Sequence, residues 1–116
     1  MSVPADRAWT DTGMEVGVGD VVTVRSSGEI VHDTALPNPV GPDGDVESEL
    51  RQFNVIIDAN HAALIGRIGE DAVPFLVGAS SQFTADHSGI LYLGINDVGV
   101  QNNTGSFTSV ITITPP

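Results

Sequence analysis

Gly89-Ile90-Leu91-Tyr92-Leu93-Gly94-Ile95-Asn96-Asp97-Val98-Gly99-Val100-Gln101-Asn102-Asn103-Thr104-Gly105-Ser106-Phe107-Thr108-Ser109-Val110-Ile111-Thr112-Ile113-Thr114 is the stretch whose reading decides the fold. Over residues 89–96 every second residue is apolar, so Leu91, Leu93 and Ile95 share one face of an extended segment. Over 106–114 Phe107, Ile111 and Ile113 alternate with Thr108, Thr112 and Thr114 in the same way. These are two half-buried strands that anchor a core, joined by a segment of Asn, Asp and Gly.

Outward from this pair, residues 20–26 form a third strand with Val22 and Val24 on one face and Thr23 and Arg25 on the other. Weaker strands are expected at 7–10 around Trp9, 28–32, 53–57, 63–68 and 73–77. Turn signals such as Gly17-Val18-Gly19-Asp20 and His87-Ser88-Gly89 separate them, the spacing expected of a sandwich. No segment holds a helical period for three turns, and no internal repeat is present. Residues 33–50, with Pro37, Pro39 and Pro42, read as one long irregular loop, and loops of that length are usually functional or disordered. The expected class is all-β, a β-sandwich in a single domain spanning residues 1–116.

Composition agrees. Valine, isoleucine and alanine dominate the 41% hydrophobic content, only 5% of residues are aromatic, and the 13 Gly and 7 Pro are scattered, which favours short strands and tight turns. With no cysteine, neither disulfides nor thiolate metal sites are available. Residues 1–20 lack the basic start and apolar run of a signal peptide, and no stretch reaches the roughly 18 apolar residues that span a bilayer. Fifteen Asp and Glu stand against four Arg, with no lysine, for a net charge of -11. Such a surface repels phosphate backbones and anionic membranes, so neither nucleic acid nor membrane is an expected partner. Self-repulsion of that size is relieved when salt shortens the Debye length to ~3 Å at ~1 M, so a halophile's protein is expected, with an acidic mesophilic domain as the alternative.

Residues 96–107 carry the strongest chemical signal. Calcium takes six to eight oxygens from carboxylates, amides and carbonyls, and Asp97, Asn102 and Asn103 offer such oxygens from both ends of one loop. The same residues suit a plain hairpin whose Asn and Gly adopt positive φ. Asp45, Glu47 and Glu49 would form an acidic strip if extended, and Asp43 and Asp45 around Gly44 lack the remaining ligands of an EF-hand. Catalytic arrangements are not visible: His32, His61 and His87 are far apart, no nucleophile elbow or phosphate-binding glycine loop occurs, and Asp86-His87 reads as a turn. The chain is not expected to be an enzyme.

Taken together, Trp9 with Thr12-Gly13, residues 18–23, Gly41-Pro42-Asp43-Gly44-Asp45, residues 63–69 and Leu91 through Phe107 resemble, in order, the calcium-dependent PA-I galactophilic lectin family of bacteria. The resemblance covers nearly the whole chain. It implies a jelly-roll β-sandwich in which one Ca2+ bridges protein and sugar hydroxyls. The implied side-chain ligands are Asp97, Asn102 and Asn103, with backbone carbonyls from Val100 or Gln101 and from the loop near His32. Implied sugar contacts are Asp97 and Asn102, with Ser48 and Arg51 at two further sugar-facing positions. Where the galactose lectin presents His and Gln to its sugar, this chain holds Ser48 and Arg51, so galactose specificity does not transfer.

Two functions follow from different classes. One is a calcium-dependent, glycan-binding lectin domain at an extracellular or virion surface. The other is an assembly module, such as a virion decoration, turret or fibre component, in which the metal only staples the loops. Both imply a homo-oligomer or a larger array.

Overall fold

The computed structural model describes residues 1–33 and 38–116, the Ser48 side chain excepted. Ten strands form two antiparallel sheets: β1 (Ser2–Pro4), β2 (Trp9–Val16), β3 (Val21–Ser27), β4 (Ile30–Val31), β5 (Pro39–Val40), β6 (Leu64–Ile68), β7 (Phe75–Leu76), β8 (Ser80–Thr84), β9 (Gly89–Ile95) and β10 (Thr104–Thr114). One sheet runs β5-β4-β10-β3-β8 with β1 also on β10, and the other runs β2-β9-β6-β7. The fold is an all-β sandwich, as the alternating patterns predict.

Alternation places the core between the sheets. Val22, Val24 and Phe107 from the first sheet meet Leu64, Ile68, Leu91 and Leu93 from the second, all buried, while Ile111 and Ile113 pack against the margin. Register aligns these residues: Ile111 opposes Val24 and Ile113 opposes Val22, so apolar pairs fall on one face and Thr23 and Thr112 on the other. In the second sheet Gly94 faces Trp9, and a Cβ there would lie 2.6 Å from the indole. Only glycine lets that ring lie down on the strand.

The observed strands correct several expectations. The expected strand at 7–10 starts at Trp9 and continues to Val16, with a register shift between Asp11 and Glu15. Residues 28–32 and 73–77 contribute two paired residues each, in β4 and β7. Residues 53–57 are no strand: Ser48–Phe53 is a 3₁₀ helix, and Phe53, Val55 and Ile57 are exposed despite their alternation. The irregular stretch at 33–50 holds β5 and the start of that helix, so Asp45, Glu47 and Glu49 are not one extended strip. Strands β1 and β8 were not anticipated.

Candidate functional site

Strands β9 and β10 lie in different sheets, so residues 96–103 carry the chain across the end of the sandwich and do not turn a hairpin. The hairpin alternative also required left-handed Asn, yet Ala62 is the only non-glycine with positive φ among the described residues. The crossing is instead fixed by buried side chains. Asn96 is fully buried: its Nδ2 donates to the Ile56 and Asn60 carbonyls (3.0 and 2.9 Å), and its Oδ1 accepts from the Ile56 N–H at 2.7 Å. Loop 54–61 is thereby tied to the end of β9, replacing water with protein partners for buried backbone groups.

Asp97 follows, 5% exposed. Its Oδ1 accepts from the Gly99 N–H at 2.8 Å and its Oδ2 from Asn103 Nδ2 at 3.1 Å. Asn103 Nδ2 donates also to the Ala5 carbonyl (3.0 Å), which fixes the amide's orientation and leaves Oδ1 buried with no hydrogen-bond partner. Leaving such an oxygen unpaired costs about 1–3 kcal/mol, which leaves it open to a further partner, as are the buried Thr10 Oγ1 and Arg67 Nε elsewhere in the sandwich.

From the facing side come Asp45 and two histidines. Gly44, at φ +79°, brings residues 41–45 against residues 61–63; a Cβ at Gly44 would stand 2.6 Å from the His61 carbonyl and 2.7 Å from the Ala63 nitrogen. The close approach lets the Asp45 N–H donate to the His61 carbonyl at 2.7 Å. Asp45 Oδ2 bonds His32 Nε2 at 3.0 Å, and the Glu47 N–H on Oδ1, ahead of the histidine, holds the carboxyl below its ordinary pKa. The His32 and His61 rings meet edge to face, with centroids 4.8 Å apart. His61 Nδ1 bonds Asn54 Oδ1 at 2.8 Å, and because Asn54 Nδ2 donates to the Ala59 carbonyl at 2.6 Å, the histidine nitrogen is the donor. Burial lowers the pKa of His61, against the opposing pull of Asp97, so the ring is neutral near pH 7.

A cleft of about 660 Å³ opens over these groups, lined by His32, Asp45, His61, Asp97 and Asn102 among others. Five carboxylates line it, from Asp33, Asp45, Glu47, Glu49 and Asp97, and no arginine does. The separated acidic residues therefore converge on one opening. Phe53, half exposed, and Val98 add an apolar border.

Of the predicted residues, Asp97, Asn102 and the His32 side chain line the cleft, and Asn103 lies behind Asp97. Val100 and Gln101 form the 3₁₀ turn Val100–Asn102, where the Val100 carbonyl already accepts the Asn103 N–H at 3.0 Å. Gln101 is exposed, and Arg51 is not among the cleft-lining side chains. The Ser48 side chain lies outside the described residues. Sequence reading missed His61, Asn54, Asn96 and Phe53. Only the fold brings them here, although Asn in a loop beside apolar strands is a hint of side chains that bind backbone.

Calcium takes carboxylate and amide oxygens; here Asp97 and Asn102 line one cleft, and the Asn103 amide bonds Asp97 through Nδ2 with its Oδ1 unpaired. No three His, Asp or Glu side chains form a ready metal cluster among the described residues, so amides and carbonyls would have to complete the shell.

The architecture is a two-sheet β-sandwich with a carboxylate-walled cleft at one end, and a solved structure shares the fold. A domain described as "EclA N-terminal domain; PllA-like lectin" superposes with a TM-score of 0.77 at 20% identity, covering 97% of this chain and 93% of that one. At that identity the likeness establishes the fold. No protein-family model and no curated protein sequence matches the chain.

Proposed function

We propose that this is a non-enzymatic, calcium-dependent carbohydrate-binding domain, acting at an extracellular or virion surface. The observation that carries this reading is Asp97 in a cleft walled by carboxylates, with the amide of Asn103 bonded behind it and the buried Oδ1 of that amide unpaired. Asp97, Asn102 and Asn103 would hold the ion, with carbonyls from the 100–101 turn and the His32 loop. The ion, when bound, supplies a Lewis-acidic centre for vicinal sugar hydroxyls. Asp97 and Asn102 orient those hydroxyls, and the exposed Phe53 face offers apolar contact to the ring. Similarity of fold to a PllA-like lectin supports a sugar as the ligand. Each sugar hydrogen bond contributes only ~0.5–1.5 kcal/mol net, so single sites bind weakly and several must act together.

Two measurements test this. Calcium at a hundredfold excess over Kd should stabilise the fold by ~2.7 kcal/mol, an increment that Asp97→Ala removes. An equal shift in Asp97→Ala would place the ion elsewhere. A glycan array probed with a multimeric form should show binding that chelator abolishes, whereas calcium-independent binding contradicts the metal bridge.

Binding to no glycan, with calcium stabilisation intact, favours the assembly reading. One observation supports that alternative: the edge strand β8 borders an apolar cleft lined by Phe75, Leu76 and Phe83.

A further inference from the structure

His61 has one ring nitrogen committed and one available. Nδ1 donates to Asn54 Oδ1 at 2.8 Å, and that amide is itself anchored on the Ala59 carbonyl, so the ring is held in a fixed orientation. Nε2 faces Asp97 Oδ2 at 3.7 Å, too long for a hydrogen bond. The other carboxylate oxygen, Oδ1, is taken by the Gly99 N–H. An imidazole lone pair and a carboxylate oxygen thus confront each other across a gap.

Such a pair is repulsive unless a cation lies between them. Ligands ~2.0–2.2 Å from one ion sit ~3–3.4 Å apart, so the gap closes around an ion with a shift of a few tenths of an ångström. A histidine that binds metal characteristically donates its other nitrogen to a fixed acceptor, the role Asn54 Oδ1 fills. Asn102 lines the same cleft, and the unpartnered Asn103 Oδ1 belongs to the amide that donates to Asp97 Oδ2. Both rings line the cleft, which gives an ion a path in. His32 Nε2 is engaged by Asp45 and takes no part.

We propose that His61 supplies a nitrogen ligand to the Asp97 site, so that the site also takes an imidazole-seeking divalent ion of the zinc class, and takes it more tightly than calcium. Imidazole discriminates between the ions, because calcium prefers an all-oxygen shell whereas zinc readily accepts nitrogen. The proposal rests on the reading of Asp97 as a cation ligand and extends it to the identity of the ion.

Imidazole 15N spectra of the wild-type chain at neutral pH, titrated with zinc chloride or calcium chloride, test it without any substitution. Zinc should shift the His61 Nε2 resonance by the large amount that coordination produces, and calcium on Asp97 should shift it far less. In parallel calorimetric titrations His61→Gln should weaken zinc binding by about tenfold or more and weaken calcium binding far less, while Asp97→Ala should abolish both. Zinc binding that moves only the His32 or His87 signals, or that is equal in His61→Gln and wild type, overturns the proposal. Calcium binding would survive that result and keep the calcium reading in place. If neither ion binds the wild-type chain, both fall together.

Discussion

Two clefts of similar size, about 660 and 700 Å³, differ in the charge of their lining and in what shapes them. The polar one stands where β9 crosses to β10 and is walled by loops. Its shape is held by buried amides: Asn54, Asn96 and Asn103 each bond backbone carbonyls, from Ala59, from Ile56 and Asn60, and from Ala5. The other lies between β7 and β8, the edge strands of the two sheets, where Phe75 and Phe83 meet edge to face at 4.8 Å. Packing shapes it, with only Asp71, Asp86 and His87 as charged or titratable lining. A groove made by sheet margins follows from the fold, whereas a cleft pinned by orienting hydrogen bonds holds its polar groups in fixed positions.

That contrast can be broken from either side, and the largest effect should come from Gly44→Ala. The new methyl meets backbone at 2.6 and 2.7 Å and forces a side chain into positive φ, so about 3 kcal/mol of stability should be lost. The His61 carbonyl would be pushed off Asp45, and the polar cleft should lose cation binding before the apolar one changes. Urea midpoints together with calcium titration check this; a variant as stable as wild type with unchanged affinity would mean that the 41–45 turn does not set the cleft. Next in size is Phe75→Ala, which removes a partly buried ring and should cost about 2 kcal/mol. The calcium increment should stay intact in this variant. If it does not, the two clefts are coupled and their opposition is only apparent.

The same contrast explains what was legible in the sequence. Strands β3 and β10 are read correctly because each has one buried and one more exposed face, and β9 because its inward positions are all aliphatic; Val22, Val24, Leu91, Leu93 and Phe107 mark the buried faces. Strand β8, Ser-Ser-Gln-Phe-Thr, carries one large apolar residue because an edge strand keeps only part of its face under cover. Strand β1 is three residues long and exists through its pairing with β10. Phe53, Val55 and Ile57 mislead for the opposite reason: they alternate but are exposed. In the site, Asp97, Asn102 and Asn103 are legible because adjacent oxygen donors in one loop have a known use. His61 is not, and Asp45 is legible only as part of an acidic strip, since a turn at Gly44 and a β-bridge between these two residues bring them there.

Net charge offers a third, more diffuse test. Carboxylates crowd the polar cleft, and repulsion among them adds to that of the whole surface, so the urea midpoint should be higher at ~1 M than at ~0.05 M sodium chloride. Calcium should narrow the difference by neutralising part of the cleft. Equal midpoints at both salt concentrations would remove the support for a halophilic origin.

The smallest expected effect, and the most local, is in two histidines that belong one to each cleft. His87 sits at the apolar cleft with both ring nitrogens donating, Nδ1 to Asp86 Oδ1 and Nε2 to the Ile68 carbonyl. Those bonds favour the protonated ring and raise its pKa above the ordinary 6.5. His61 donates from one nitrogen only and is buried, and burial lowers its pKa below 6.5. The signs of their linkage to folding are opposite. Protonated His87 stabilises the fold fully below 6.5, and that contribution is lost as pH rises through its raised folded value. For His61 the unfolded chain takes the proton more readily, so stability is complete above 6.5 and is lost as pH falls from 6.5 toward its lowered folded value. His87 is exposed, so its share is screened by salt and small. Titration of the imidazole proton resonances without added metal should give a midpoint above 6.5 for His87 and below it for His61. Saturating zinc should move the His61 midpoint further down and leave His87 where it was, because an ion on Nε2 competes with the proton there. A single shared midpoint near 6.5 would show that the buried amides around Asn54 do not set the state of His61, and the polar cleft would then be no more organised than the apolar one.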